Sequence, residues 1–320
     1  MIPRLHFAHL PTKVEDLPRL SATLQGPRLL VKRDDQTGLA FGGNKTRKLE
    51  FLLGDAREKG AQTLITAGAV QSNHCRQTVA AATRFGFKCI LVLFGDPPKP
   101  PDANHLLHYL LGAEVIYTAR DKMQAALDDV FLQAEDEGKK PYLIPYGGSN
   151  PIGVMGYVTA MVELADQGVE PDWIVFPTSS GGTQAGMLVG ARKTGYQGKI
   201  LGISVDEPAG KLSPHVADLA TQTATFIGED WTFAAGDVLV NDDYTSAGYA
   251  IMGEPEIRAI RLFAQREALL LDPVYTGRAA AGLIDLIQHD FFDETDTVLF
   301  WHTGGTPALF AGRYQNRLID

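Results

Sequence analysis

The chain has 320 residues, 45% hydrophobic and 21% charged, which is ordinary globular composition with length for about two domains. Its 38 acids against 29 bases give a formal charge of −9 without any basic block, so nucleic acid and anionic membrane surfaces are poor partners and any anion site must be local. No apolar run approaches the roughly 20 residues of a bilayer span, and "MIPRLHFAHLPTKVEDL" lacks the apolar core of a signal peptide. A cytoplasmic protein is expected. Cys75 and Cys89 stand in apolar stretches outside any metal or CxxC spacing, and read as reduced core residues.

In chain order, "RLLVKRD" predicts a strand and "NKTRKLEFLLGDAREKG" a helix with Leu49, Leu52, Leu53 and Ala56 on one face. "TLITAG" reads as a buried strand. "SNHCRQTVAAATRFG" reads as a helix capped by Ser72 or Asn73 and closed by Gly86. "KCILVLFG", "DANHLLHYLLG", "AEVIYT", "MQAALDDVFLQAEDEG", "YLIPYGG" and "GVMGYVTAMVELADQG" continue the alternation. It resumes at "PDWIVF", "GTQAGMLVGARKTG", "KILGISVDE" and a helix near 213–227. Such alternation implies α/β architecture with parallel sheets covered by helices on both faces, and ligands bound beyond the carboxyl ends of the strands. No repeat and no low-complexity linker interrupts it.

Four segments carry chemistry. "PTSSGGTQAGMLVG" follows a strand and opens a helix; Gly181 and Gly182 let backbone N–H groups reach a ligand, and Ser179, Ser180 and Thr183 add hydroxyls. It is a phosphate-monoester loop or an ordinary strand-to-helix turn. A dinucleotide reading would use Asp206 as the ribose acid, but the glycines fall as G-G-x-x-x-G rather than G-x-G-x-x-G. "TAGAVQSNHCRQT" brings Gly68, Ser72 and Asn73 to a helix start that either holds a carboxylate or is simply capped, with His74 a base or a core histidine. Tyr249, and Tyr275 in "LLLDPVYTGRAAAGL", are proton donors or core rings. "VLFWHTGGTPALF" ends a strand at His302-Thr303 before Gly304-Gly305 turns into a helix, either a site loop or an ordinary β-α turn. His105 and His108, three apart without a third ligand, read as a solvated face. No HExxH, G-x-S-x-G or P-loop occurs.

One residue resists a structural reading. In "GGNKTRKLEF", Arg47 and Lys48 read as the outer face of a starting helix, but Lys45 sits where the helix dipole opposes a cation.

Together these segments resemble one family. "KRDDQTGLAFGGNKTRKLEFL", "TLITAGAVQSNHCRQTVAAA", "IPYGGSNPIGVMGYV", "SSGGTQAGM", "LLDPVYTGRAAAGLIDLI" and "HTGGTPALF" are similar, in order and from about residue 6 to 310, to the pyridoxal-phosphate (PLP) enzymes that comprise D-cysteine desulfhydrase and 1-aminocyclopropane-1-carboxylate (ACC) deaminase. The resemblance implies PLP fold type II. A large PLP-binding domain, residues 1–47 and 157–320, would carry an inserted small α/β domain, residues 48–156, each with a mostly parallel, helix-covered sheet. It implies that Lys45 carries the cofactor and then, released as an amine, takes the substrate Cα proton. Ser180, Gly181, Gly182 and Thr183 would hold the phosphate, Asn73 the ring hydroxyl and Ser72 the substrate carboxylate. Tyr249 and Tyr275 would face the reacting side chain. Arg47 and Lys48 would be surface or structural. A homodimer acting on a small amino acid is implied.

ACC deaminases have "DPVYEG" and "HLGG" where this chain has Thr276 and Thr303, both the desulfhydrase-like choice. The two threonines would meet the pyridine nitrogen. A hydroxyl there stabilises a carbanion less than a carboxylate does, which suits expulsion of a good sulfur leaving group. The expected reaction is β-elimination of D-cysteine to pyruvate, sulfide and ammonia. L-cysteate sulfo-lyase and ACC deaminase are the alternatives within the family. A nucleotide-binding oxidoreductase and a catalytically dead PLP-binding protein are the alternatives outside it.

Overall fold

The computed structural model describes residues 2–245 and 248–319. The elements run β1 (Val14–Asp16), α1 (Pro18–Leu24), β2 (Arg28–Lys32), α2 (Asn44–Glu58), β3 (Thr63–Ala69), α3 (Asn73–Phe85), β4 (Lys88–Phe94), α4 (Ala103–Leu110), β5 (Glu114–Thr118), α5 (Met123–Asp136) and β6 (Pro141–Leu143). They continue with α6 (Pro151–Asp166), β7 (Trp173–Thr178), α7 (Gly182–Thr194), β8 (Lys199–Ser204), α8 (Ala209–Phe226), β9 (Leu239–Asn241), α9 (Glu254–Glu267), α10 (Thr276–Gln288), β10 (Thr297–Trp301) and α11 (Gly312–Ile319).

Two sheets result. Six strands lie in the order β1-β2-β10-β7-β8-β9, and four in the order β5-β4-β3-β6. β1 is antiparallel to β2, and the other pairings are parallel. β10 is central, with Leu299 opposite both Leu30 of β2 and Ile174 of β7. Strands covered on both faces must be apolar at every position. β7 is accordingly buried throughout, its alternate residues entering opposite cores: Val175 packs with Leu283 and Phe263, Ile174 with Met161 and Met187. The small sheet does the same, Leu64 facing Leu49 and Val79 while Ile65 faces Leu127 and Val130. Between the sheets α6 and α2 touch backbone to backbone: a Cβ on Gly156 would lie 2.6 Å from the carbonyl carbon of Arg47.

Two surface expectations are overturned. Arg47 and Lys48 are buried, because the first turn of α2 lies under α6 rather than facing solvent. His105 and His108 are buried as well, since α4 turns its histidine face onto the turn that opens α3. The helix expected near 213–227 starts at Ala209, whose N–H is capped by the distant Asp242 carboxylate (2.6 Å). After Gly304-Gly305 the chain forms a five-residue 3₁₀ turn, Thr306–Phe310, rather than an α-helix. The sequence reading does not anticipate α1, β1, β9, α9, α10 or α11, although Ile257, Ile260 and Phe263 of α9 carry helical spacing.

Candidate active site

The turns that follow β3, β6, β7 and β10 converge with the start of α2 on one cavity between the two sheets. Lys45, Ser72, Asn73, Ser180, Gly181, Thr183, Tyr275 and Thr303 all line it. Gly182 begins the adjoining helix, and Tyr249 stands behind Tyr275. A larger cleft of about 490 Å³ opens at the opposite end of the large sheet, near Trp173 and Lys199. Its carboxylates Asp172 and Asp296 are already bonded to Thr297 N and to Trp173 Nε1.

Lys45 is enclosed, and its Nζ donates to the carbonyl of Gly147 at 3.1 Å. Desolvation lowers its pKa from 10.5 to about 8, with no carboxylate to oppose the shift. Lys48, one turn on, reaches the same carbonyl at 3.2 Å and Ser149 Oγ at 3.5 Å. Burial first, then the Lys45 charge, push it well below the usual lysine range. Two amines sharing one carbonyl form a site that is electropositive when protonated and nucleophilic when not.

α7 starts without a side-chain cap and without an acid in its first turn. Gly181 has φ +76°, a left-handed conformation that glycine tolerates and that turns the chain into the helix. Ser180 Oγ lies 2.9 Å from Ser149 Oγ, and Thr183 Oγ1 accepts from Asn44 Nδ2 at 3.2 Å, which leaves the threonine proton free to donate. A Cβ on Gly182 would lie 2.8 Å from Lys48 Nζ, so the second lysine abuts this helix start. N–H groups, hydroxyls and a buried amine together suit a multiply charged oxyanion.

At α3, Ser72 is the N-cap and its Oγ accepts from Cys75 N at 3.1 Å, so its own proton is free for a carboxylate. Asn104 Nδ2 donates to Asn73 Oδ1 (2.8 Å) and to Gln71 O (3.0 Å), which turns the Asn73 amide nitrogen away from α4. His74 is buried and bonded through Nε2 to Thr66 Oγ1 (2.9 Å). Because Thr66 donates to Ile144 O, the histidine carries its proton on Nε2. Burial, followed by the Lys45 and Lys48 charges, holds His74 neutral by pushing its pKa well down.

Tyr249 and Tyr275 share a 2.7 Å hydroxyl hydrogen bond. Burial first, then the neighbouring phenols, raise both pKa values well above 10. The two threonines differ. Thr303 lines the cavity, whereas Thr276 is buried at the start of α10 with its hydroxyl on Asp272 Oδ1 (2.8 Å). Sequence reasoning missed Asn44, Lys48, Ser149 and Asn104. Lys48 had a signal, since three residues after Lys45 on a helix places both amines on one face.

Two helix-covered sheets with a half-buried lysine, free of any carboxylate, facing an uncapped helix start define an α/β enzyme whose site suits an anionic, carbonyl-bearing group. The family pattern described as "Pyridoxal-phosphate dependent enzyme" matches residues 5–304, and the chain belongs to that family. It is 43% identical over 318 residues to a D-cysteine desulfhydrase of Klebsiella pneumoniae strain 342, covering 97% of this chain and 96% of that one. A second such protein, from strain ATCC 700721 / MGH 78578, is 42% identical over the same span. A crystal structure of an ACC deaminase homologue superposes with TM-score 0.91 at 35% identity, covering 99% and 96% of the two chains. The residues present fit the cofactor: the start of α7 with Lys48 suits its phosphate, and the Lys45 amine suits its aldehyde.

Proposed function

We propose that this chain eliminates sulfide from D-cysteine, releasing pyruvate and ammonia. The observation that carries the reading is the half-buried Lys45 amine, desolvated and free of any carboxylate, in a chain 43% identical to a D-cysteine desulfhydrase. Ser180, Gly181, Gly182, Thr183 and Lys48 would hold the cofactor phosphate, Asn73 would hold the ring hydroxyl, and Thr303 would serve the ring nitrogen. Thr276 would act there only indirectly, through Asp272 and the start of α10. When bound, PLP supplies an electron sink that makes the Cα proton of an attached amino acid removable.

The rest falls to the protein. Ser72 O–H and the first N–H groups of α3 orient the substrate carboxylate. Lys45 Nζ, whose pKa burial lowers to about 8 in the cofactor-free protein, would take the Cα proton as the released amine. The Cα–H and Cβ–S bonds break, the sulfur leaves as sulfide, and water completes release of pyruvate and ammonia. Tyr275, neutral at every relevant pH, donates its proton to the departing sulfur while Tyr249 hydrogen-bonds the resulting phenolate. Residues 48–156 form the small domain and residues 1–47 with 157–320 the large one, a division that matches the two sheets. The protein works as a cytoplasmic homodimer.

Ring opening of ACC is a second reading, favoured by the ACC deaminase homologue at TM-score 0.91. Pyruvate release from a panel of D-cysteine, L-cysteine, L-cysteate and D-serine, with 2-oxobutanoate release from ACC, separates the readings. D-cysteine is expected to give the highest kcat/KM. A protein that opens ACC and ignores D-cysteine overturns the proposal.

A further inference from the structure

Asp102 occupies the N-cap position of α4, where an aspartate ordinarily bonds the N–H groups of its own helix, yet its side chain makes no such bond. One oxygen accepts from Gln71 Nε2 at 2.5 Å and the other from the N–H of Gly312 at 2.7 Å. The first contact holds the turn that carries Ser72 and Asn73. The second caps α11, a helix of the far end of the chain, 210 residues away. From α11 three side chains reach the segment 248–252: Tyr314 donates to Ala250 O at 2.7 Å, Arg313 donates to the same carbonyl, and Arg317 to Met252 O. Arg278 holds the same segment from below through Gly248 O (3.1 Å) and Ile251 O (2.7 Å). Tyr249 lies inside this comb of donors, with Ala250 next to it in the left-handed region at φ +60°.

We propose that Asp102 and α11 form a clasp that ties the substrate-carboxylate turn to the Tyr249–Tyr275 pair, making Asp102 and Tyr314 positioning residues for protonation of the leaving group. An N-cap carboxylate diverted from its own helix gives up local stability for a contact between distant elements. That contact fixes Ala250, and through it the hydroxyl that steadies Tyr275. The inference rests on the proposed reaction for the roles of the two tyrosines.

The test uses full-length protein loaded with PLP and compares D-cysteine with β-chloro-D-alanine, whose chloride departs without a proton. Asp102→Asn and Tyr314→Phe preserve side-chain size. Each is expected to lower kcat on D-cysteine about tenfold, the scale of one lost hydrogen bond. Turnover of β-chloro-D-alanine, PLP affinity and the cofactor absorbance band stay as in wild type. Hydrogen–deuterium exchange of the 248–252 amides rises in both variants, with or without PLP, and the double variant is no worse than the more affected single one. Equal losses on both substrates would make the contacts merely structural and overturn the clasp, as would unchanged exchange. Wild type inactive on both substrates would overturn the proposed reaction instead, and the exchange measurement would still decide the clasp.

Discussion

Lys45 and Arg47 lie two residues apart on one helix, Lys45 half-buried at the cavity wall and Arg47 fully buried, in opposite electrostatic settings. Arg47 makes a fork with Asp34 (2.8 Å to each oxygen) and bonds both oxygens of Glu163 at 2.9 Å. Lys32 (2.6 Å to Glu163) and Tyr157 (2.7 Å to Asp34) complete that network. Lys45 has one carbonyl, shared with Lys48. The Asp34 and Glu163 carboxylates push the Arg47 pKa up against desolvation, while desolvation alone pulls Lys45 down. A buried charge with partners locks α2 against α6. A half-buried charge without them is a cost that the proposed reaction accounts for, since it needs a free amine there. Placing both on one turn means that the network aiming α2 also aims the Lys45 amine.

Substitutions at the two sites should therefore fail in different ways. Lys45→Ala should cut D-cysteine turnover by about 10²–10⁴-fold, the range for a positioned base, while circular dichroism stays native. Activity within tenfold of wild type would remove Lys45 from the mechanism. Arg47→Met should instead cost about 3–5 kcal/mol of stability, because Asp34 and Glu163 would be left buried without their main cation. Urea denaturation measures it, and a loss below about 1 kcal/mol would show that Lys32 and Tyr157 suffice.

Lys45→Met sharpens the contrast. The unfolded lysine titrates near 10.5 and the folded one near 8. Below about pH 8 both states hold the proton and the native state bears the full cost of burying it. Between about 8 and 10.5 only the unfolded state keeps the proton, so the stability of cofactor-free wild type rises with pH. Cofactor-free Lys45→Met should accordingly be more stable than wild type at pH 7, by roughly 3 kcal/mol if the shift is as large as 2.5 units. The gap should close as pH approaches 10.5. Urea midpoints at pH 7 and pH 9.5 decide it, and a gap that widens with pH would reverse the sign argued here.

The parts legible in the sequence were those set by local chemistry. A strand, a glycine pair and hydroxyls announced the start of α7, and Ser72 with Gly86 bracketed α3 as read. Lys45 stood out because it violates a local rule. Illegible parts depend on what another element brings. The burial of Arg47 follows from Gly156 on α6, more than 100 residues away, and that of His108 from the turn before α3. Thr276 had read as a cavity residue in "DPVYTG", but Asp272, four residues earlier, holds its hydroxyl. α9 was missed despite its apolar spacing, because its charged positions mask the stripe to the eye.

The smallest expected effect concerns Asn104, which touches neither lysine. Its Nδ2 has two hydrogens, and both are committed, to Gln71 O and to Asn73 Oδ1. Asn73 must then present its own Nδ2 on the other side, where a Cβ on Gly305 would sit 2.8 Å from it. The orientation of an amide is assigned from such networks, so altering the network should alter the orientation. Asn104→Asp replaces the donor with an acceptor, and Asn73 should flip to donate to the new carboxylate, presenting Oδ1 to the cavity. A donor to the cofactor ring hydroxyl becomes an acceptor. The cost should be about 1 kcal/mol, roughly fivefold in PLP affinity, with a shift in the visible absorbance band. Asn104→Ala frees Asn73 without reversing it and should weaken PLP less, leaving the band in place. Titrating both variants with PLP and recording their spectra tests the orientation. Identical affinities and spectra would show that Asn73 is held by something other than Asn104.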